Sequence, residues 1–230
     1  MKIFILADGE GTRWGNYKDV PKQLLKVNGE TLLHRMIRLC RENGIPKEDI
    51  IILGTLTDDD AVNDRFENCS KKRQLFLEIA KKYKEPFIML NGDCYYTDAI
   101  IKDCIEREAV DGWLHWCCPH SNQFTKKPWG EGYIHKVTNI DWWISKLEEF
   151  NKLVDNNEII VNGDWAMNRW LYGAADINKH YVDKEHLSKY DVYWHDETDD
   201  FDYSSGPDWG TGYNNDYERF LAATGFKGEL

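Results

Sequence analysis

The sequence has no excess of positive charge, no long apolar run and no paired-cysteine motif, and each absence removes a class of protein. Lys and Arg number 29 against 40 Asp and Glu, a formal net charge of -11. Binding along a nucleic-acid backbone needs a Lys/Arg face that this balance does not supply, so no nucleic-acid partner is expected. No apolar stretch approaches the roughly 20 residues that cross a bilayer. The opening MKIFILADGEG also lacks the apolar stretch and small-residue cleavage site of a signal peptide. A cytoplasmic protein without a membrane partner is expected. Six cysteines, Cys40, Cys69, Cys94, Cys104, Cys117 and Cys118, occur without C-x-x-C spacing, so they read as reduced thiols rather than a zinc ribbon or disulfide framework. WCCPH (Trp116 to His120) offers ligand types but does not surround an ion without partners elsewhere. Repeats, low-complexity tracts and linkers are missing too, and 230 residues suffice for one domain with a full core.

What is present is an ordered alternation of apolar runs and helical patterns. Lys2 to Leu6, DIIILG (Asp49 to Gly54) and FIMLNGD (Phe87 to Asp93) are short continuous apolar runs of the kind covered on both faces. Between them lie a helix capped by Thr31 and stopped at Asn43-Gly44, and a second over KKRQLFLEIAKKY. A third helix follows from Thr97 to Arg107. Strand, helix, strand, helix, strand predicts an α/β protein with a mostly parallel, Rossmann-like sheet flanked by helices. The second half predicts strands at Gly112 to Cys117, Tyr133 to Val137 and Asp191 to His195. Helices are expected over Ile140 to Val154, Asp164 to Leu171 and Tyr213 to Ala223. The expected organisation is one domain over 1–230, with its two halves as lobes of that domain. Ten tryptophans, concentrated after residue 112, read as core packing or, alternatively, as a stacking surface for a sugar or a cage for a quaternary ammonium group.

The loop after the first run, ADGEGTRWGNYKDVPK, buries little and constrains much. Gly9 and Gly11 at the carboxyl end of a strand let backbone N–H groups approach an anion, at the edge where open α/β sheets bind ligands. Thr12, Arg13 and, on the return path, Pro21-Lys22 add a planar fork and a mobile point charge. The loop is no Walker sequence, since it lacks Lys-Ser/Thr in order. A Rossmann fingerprint is excluded because Trp14 stands where the third glycine belongs, with Gly15 one residue late.

LADGEGTRWGNYKDVPKQLLKVNGETLLHRMI resembles the signature of the nucleotidyltransferases that activate sugar phosphates and related phosphate esters: Leu-x-x-Gly-x-Gly-Thr-Arg, a spacer, then Pro-Lys-x-Leu. The match is specific over Leu6 to Leu33 and extends to LNGDCYYTDAI and, more loosely, to ETDDFD with DYERFL; between Asp111 and Asp191 it fades. The resemblance implies a GT-A-like sheet in a nucleotidyltransferase domain over 1–230, with a nucleotide-binding half at 1–110 and an acceptor-binding lobe and C-terminal metal-ligand segment at 111–230. It also implies an Mg²⁺-dependent transfer from a nucleoside triphosphate to a small phosphorylated acceptor, with pyrophosphate released, as in nucleotide-sugar biosynthesis. The implied nucleotide site is Leu6, Ala7, Asp8, Gly9, Glu10, Gly11, Thr12, Arg13 and Lys22. In it Arg13 and the loop N–H groups hold the β- and γ-phosphates, and Lys22 stabilises charge on the transferring group. Asp8 departs from the family's Ala or Gly; it or the GTLTDDD stretch is a candidate contact to base or ribose.

Asp93, ending the third run, is placed to bind a hard cation, and HDETDDFDYSSGPDW supplies second-carboxylate candidates at Asp199, Asp200 and Asp202. The family's terminal metal ligand maps to Asp202 or Asp200. On the acceptor side NQFTKKPWGEGYIHKV contributes Trp129, Glu131 and Lys136, against the alternative of an ordinary hairpin; Asp164 and Arg169 face the pocket, or Asp164 caps a helix. Two rival readings stay open. One is a GT-A-type glycosyltransferase using Asp200 to Asp202 as its Asp-x-Asp, and the other is a non-catalytic nucleotide-binding module. Base, acceptor and oligomeric state are not legible.

Overall fold

The computed structural model describes the chain apart from residues 10, 12, 16, 68, 70, 110, 119–130, 162–164, 175, 179–191, 195–198, 202–203 and 229–230, and apart from the side chains at 131, 165, 192–194, 199 and 200. The expected α/β architecture is found. In chain order the strands of the main sheet are β1 (Lys2–Leu6), β4 (Ile50–Leu53), β5 (Val62–Asp64), β6 (Phe87–Asn91), β8 (Trp113–Cys118), β9 (Glu131–Val137) and β10 (Val192–Trp194). Two short pairs complete the set: β2 (Lys26–Val27) with β3 (Glu30–Thr31), and β7 (Cys94–Tyr95) with β11 (Asp199–Asp200). The seven-stranded sheet has the order β10-β8-β9-β6-β1-β4-β5, and its ladders are parallel except the two that β9 makes. Strands from both halves of the chain therefore share one sheet, joined at β6 and β9.

Both faces are covered, which is why the central strands read as unbroken apolar runs. In β1, Ile3 and Ile5 pack under α1 (Leu32–Glu42) and α3 (Asp98–Glu106), while Phe4 faces the side of α2 (Lys72–Tyr83), α4 (Ile140–Asp155) and α5 (Trp165–Leu171). Thr31 caps α1 as expected, its hydroxyl accepting from the His34 amide at 3.1 Å. A third, smaller core lies where the opening loop meets α6 (Asp216–Thr224): Trp14, Leu25, Val27, Leu32, Tyr95, Phe201, Tyr217 and Phe220. The closing helix starts three residues later than expected because Asn215 takes the cap, accepting from the Glu218 amide, while the Tyr213 amide donates to Asp208. β5 escapes sequence reading altogether: Val-Asn-Asp is a short polar edge strand without an apolar signal, pinned by Lys82 and Tyr83 on Asp64.

The tryptophans that can be placed are largely packing. Trp14, Trp116 and Trp143 are fully buried, and Trp113 lies in a stack with His115, His135 and Trp142 on the α4 face. The two histidine rings stack at 4.3 Å, and Trp113 Nε1 donates to His135 Nδ1 at 3.3 Å, which leaves the His135 proton on Nε2. Cys118 belongs to the α1–α3 core and Cys117 sits beside His115 on the other face, so the WCCPH cysteines do not converge.

Burial, then the neighbouring His115 and Lys72, hold the His135 pKa well below 6.5. The folded state then binds fewer protons than the unfolded state below that pH, so stability is retained above about pH 6.5 and falls as pH drops below it. Denaturant melts at pH 7.5, 6.5 and 5.5 should show a decline of up to about 1.4 kcal/mol per unit below pH 6.5. His135→Gln should flatten it, and an unchanged slope in that variant would assign the decline elsewhere.

Candidate active site

The site is built on the carboxyl edge of β1 and β6. Past the end of β1 the chain stays clamped between its neighbours, the Ala7 amide donating to the Leu53 carbonyl at 2.9 Å and the Gly92 amide to the Leu6 carbonyl at 2.9 Å. Only glycine fits at 92, since a Cβ there would stand 2.4 Å from the Leu6 oxygen. Gly54 on the other flank plays a related part, its φ of 145° placing it against Asp8.

From this clamp the opening loop leaves and returns. Gly11, at φ 56°, turns the chain so that the amides of Trp14 and Gly15 both donate to its carbonyl. The Trp14 side chain drops into the third core, 2 % exposed, with Tyr17 edge-on at 5.2 Å. The residue that breaks the Rossmann pattern is thus the one that anchors the loop. Lys18 and Asp19 follow in consecutive left-handed conformations (φ 60° and 56°), a strained pair for side-chain-bearing residues. Pro21 then starts a tight turn over Lys22–Leu24 that delivers Lys22, 8 % exposed, back to the sheet edge.

There Lys22 meets Asp93, with Nζ 2.5 Å from Oδ2. Residues 71 positions apart in sequence, each singled out independently, form one ion pair. Partial burial works to raise the Asp93 pKa, but Lys22, aided by Lys72, more than offsets it and holds the carboxyl below its ordinary value. The late acidic segment arrives at the same place: β11 pairs antiparallel with β7, setting Asp200 opposite Cys94 and Asp199 opposite Tyr95, and the Phe201 amide donates to the Asp93 carbonyl at 3.2 Å. Phe201 is fully buried between Tyr217 and Phe220, which fixes the segment to α6. Carboxylate oxygen is the donor chemistry of this edge, suited to a hard dication rather than a soft metal. Among the described residues no cluster of three or more His, Cys, Asp or Glu is preassembled.

The remaining expected residues fall in several places. Asp8, Gly9 and Arg13 are exposed at the edge, Leu6, Ala7 and Gly11 line its base, and Glu10, Thr12 and Asp202 lie outside the described residues. So do Trp129 and Asp164; the Glu131 backbone pairs with Cys118 in β9. Lys136 needs correction. Because β9 runs antiparallel to β6, Lys136 is carried to the register of Ile88, toward the amino end of β6, where its buried Nζ donates to the Ile105 and Arg107 carbonyls at the end of α3. That is a helix-terminus contact, not an acceptor contact. Arg169 is likewise buried, donating to the Ile177 carbonyl. In GTLTDDD, Asp58 accepts from the Asp60 amide and pairs with His34 at 2.9 Å, which ties down the turn before β5.

Sequence reading missed Lys72. It opens α2 near enough to Asp93 to act on its charge. A signal did exist: Lys71, Lys72 and Arg73 crowd a helix amino end that has no acidic residue in its first turn and no side-chain cap, against the preference set by the helix dipole.

Compared with models of known families, the chain matches none. Among solved structures it is similar to a Bacillus anthracis protein provisionally assigned as a glucose-1-phosphate thymidylyltransferase, in complex with sucrose. The identity is 13%, over 85% of this chain and 86% of that one, with a TM-score of 0.50. The fold is sugar-phosphate nucleotidylyltransferase-like. The CTP:phosphocholine cytidylyltransferase of Streptococcus pneumoniae aligns over 88% of this chain and 93% of its own at 14% identity and a TM-score of 0.49. No helix among the described residues is long and apolar enough to cross a membrane.

Proposed function

We propose that the chain is a nucleotidyltransferase that joins a nucleoside triphosphate to a sugar phosphate or similar phosphate ester and releases pyrophosphate. The observation that carries this reading is the Lys22–Asp93 pair at 2.5 Å, formed where the glycine loop leaves β1. Gly9 supports it from another side. Its φ is not left-handed and nothing among the described residues lies within 4 Å of where a Cβ would be, so neither the backbone nor the described packing calls for glycine, whereas a ligand approaching the backbone would.

In this reading the amides from Gly9 to Thr12 with Arg13 hold the β- and γ-phosphates, and Lys22 turns from Asp93 to the transferring phosphoryl oxygens as their charge develops. The acceptor phosphate attacks the α-phosphorus in line. It is already ionised, so no general base is required. Asp93, with Asp200 or Asp202, would hold Mg²⁺, which would supply positive charge to offset the mutual repulsion of the reacting phosphates. The placed tryptophans are packed rather than arranged as a cage, so they offer no preference for a quaternary ammonium acceptor over a sugar phosphate.

Pyrophosphate release with Mg²⁺, screened over the four common ribonucleoside triphosphates and dTTP against sugar phosphates and phosphocholine, tests the proposal. One triphosphate with one acceptor should give release that neither gives alone. Silence with every pair, with consumption or mere binding of a nucleotide sugar, would overturn it.

A further inference from the structure

We propose that Tyr96 is a positioning residue: its buried hydroxyl stands in for the next rung of the β6–β9 ladder and so fixes the turn that carries Asp93. The hold on the turn is a property of the fold, and its consequence for turnover rests on the nucleotidyl-transfer reading.

The register of β6 with β9 runs from Phe87 opposite Val137 to Leu90 opposite Ile134 and stops; one step further would set Asn91 opposite Tyr133. Backbone amides alternate sides along a strand, and the Gly92 amide donates to Leu6 in β1, so the Asn91 amide points toward β9. What it meets there is the Tyr96 hydroxyl oxygen, at 3.1 Å. The same hydroxyl lies 3.2 Å from the Asn91 carbonyl and 3.3 Å from the Tyr133 carbonyl, and shares its single proton between them. One phenol oxygen therefore occupies the place of a ladder bond and spaces the two backbones where β6 ends.

The ring is held firmly enough to act as such a spacer. Tyr95 and Tyr96 point to opposite sides, Tyr95 into the third core and Tyr96, fully buried, into the core under α1 and α3. Arg35 Nε of α1 donates to the Tyr96 carbonyl at 2.9 Å, and Thr97 caps α3 directly afterwards. Burial first, then the Cys94 thiol, a further hydrogen-bond neighbour, and Asp93, hold the Tyr96 pKa well above 10, so the hydroxyl keeps its proton at neutral pH. Asp93 lies two residues beyond Asn91. Its turn is tied to β1 through the Gly92 amide and to the late acidic segment through the Phe201 amide, and the Tyr96 hydroxyl supplies the tie on the side of β9. A carboxylate carried on a turn moves with it, and a displacement on the order of 1 Å can cost about 10²-fold in rate when the group belongs to the chemistry. The glycine loop leaves β1 rather than β6, so triphosphate binding does not depend on this bond.

Amide hydrogen exchange followed by NMR on the full chain, with pyrophosphate-release kinetics beside it, tests this in Tyr96→Phe, which keeps the ring and removes only the hydroxyl. In the unsubstituted protein the Asn91 amide should be protected like that of Met89, which points to the same side within the ladder. That comparison needs no substitution, so it decides even if Tyr96→Phe does not fold. In Tyr96→Phe the Asn91 amide should exchange about tenfold or more faster relative to Met89. The kcat should fall about tenfold or more while the KM for the triphosphate stays within about twofold. Ile37→Val, which loosens the same core and leaves the hydroxyl in place, should lower stability without lowering kcat. An unprotected Asn91 amide in the unsubstituted protein, or unchanged relative exchange in Tyr96→Phe, overturns the hold on the turn. A kcat for Tyr96→Phe equal to that of Ile37→Val overturns the positioning role. A pyrophosphate screen that stays silent for the unsubstituted protein, while Asn91 exchange responds to Tyr96→Phe, would sink the activity and leave the hold standing.

Discussion

Lys22→Ala is expected to lower turnover by about 10²- to 10³-fold, equivalent to about 2.7–4 kcal/mol of transition-state stabilisation, in the pyrophosphate-release assay at saturating substrates. The side chain is delivered by a rigid turn to the sheet edge and is almost wholly withdrawn from solvent, so its charge acts in a medium that screens it poorly. In the resting protein that charge is spent on Asp93; the developing phosphoryl charge is where it gains most. The loss should accordingly fall on kcat rather than KM. A circular-dichroism spectrum matching the unsubstituted protein guards against a folding artefact, since Asp93 loses its partner. A rate within twofold of the unsubstituted protein would remove Lys22 from the chemistry.

Gly92→Ala is expected to destabilise the protein by about 3 kcal/mol or more, read as a shift of the urea midpoint or as loss of soluble protein. The three atoms nearest the added Cβ would all be backbone: the Leu6 oxygen at 2.4 Å, its carbon at 3.1 Å and the Ala7 Cα at 3.4 Å. β1 is hydrogen-bonded along both sides to β4 and β6, so it cannot shift without breaking ladders, and the Gly92 amide bonds to the very carbonyl that would be struck. Gly9→Ala is the contrast: with nothing among the described residues within 4 Å of the added carbon, it should change stability by less than about 0.5 kcal/mol while weakening triphosphate binding. Equal stability of Gly92→Ala and the unsubstituted protein would mean that the close approach is absent in solution.

Those two glycines show how far local sequence reaches. Gly9 was recognisable from its spacing to Gly11, Thr12 and Arg13, because an anion loop is a short-range pattern of backbone and charge. Gly92 read only as part of a strand-ending Gly-Asp, since its necessity comes from Leu6, which lies next to it only across the sheet. The acceptor half illustrates the same limit. Lys136 belonged to a plausible turn-and-strand segment, yet the direction of β9 carried it to the other end of β6, and strand direction in a ladder is not written in the strand. Lys72 was passed over because its helix pattern was satisfactory and only its charge at the amino end was wrong.

The sequence by itself determined the alternation of buried strands and helices, the cap at Thr31, and the chemistry of the opening loop, all of which depend on neighbours within a few residues. Only the tertiary structure decided that Trp14 anchors that loop, that Lys22 rests on Asp93, and that the Asp199–Phe201 backbone lies beside them. These are contacts between distant segments, set by which strands pair and by how one small core closes over the edge, and no local pattern encodes them.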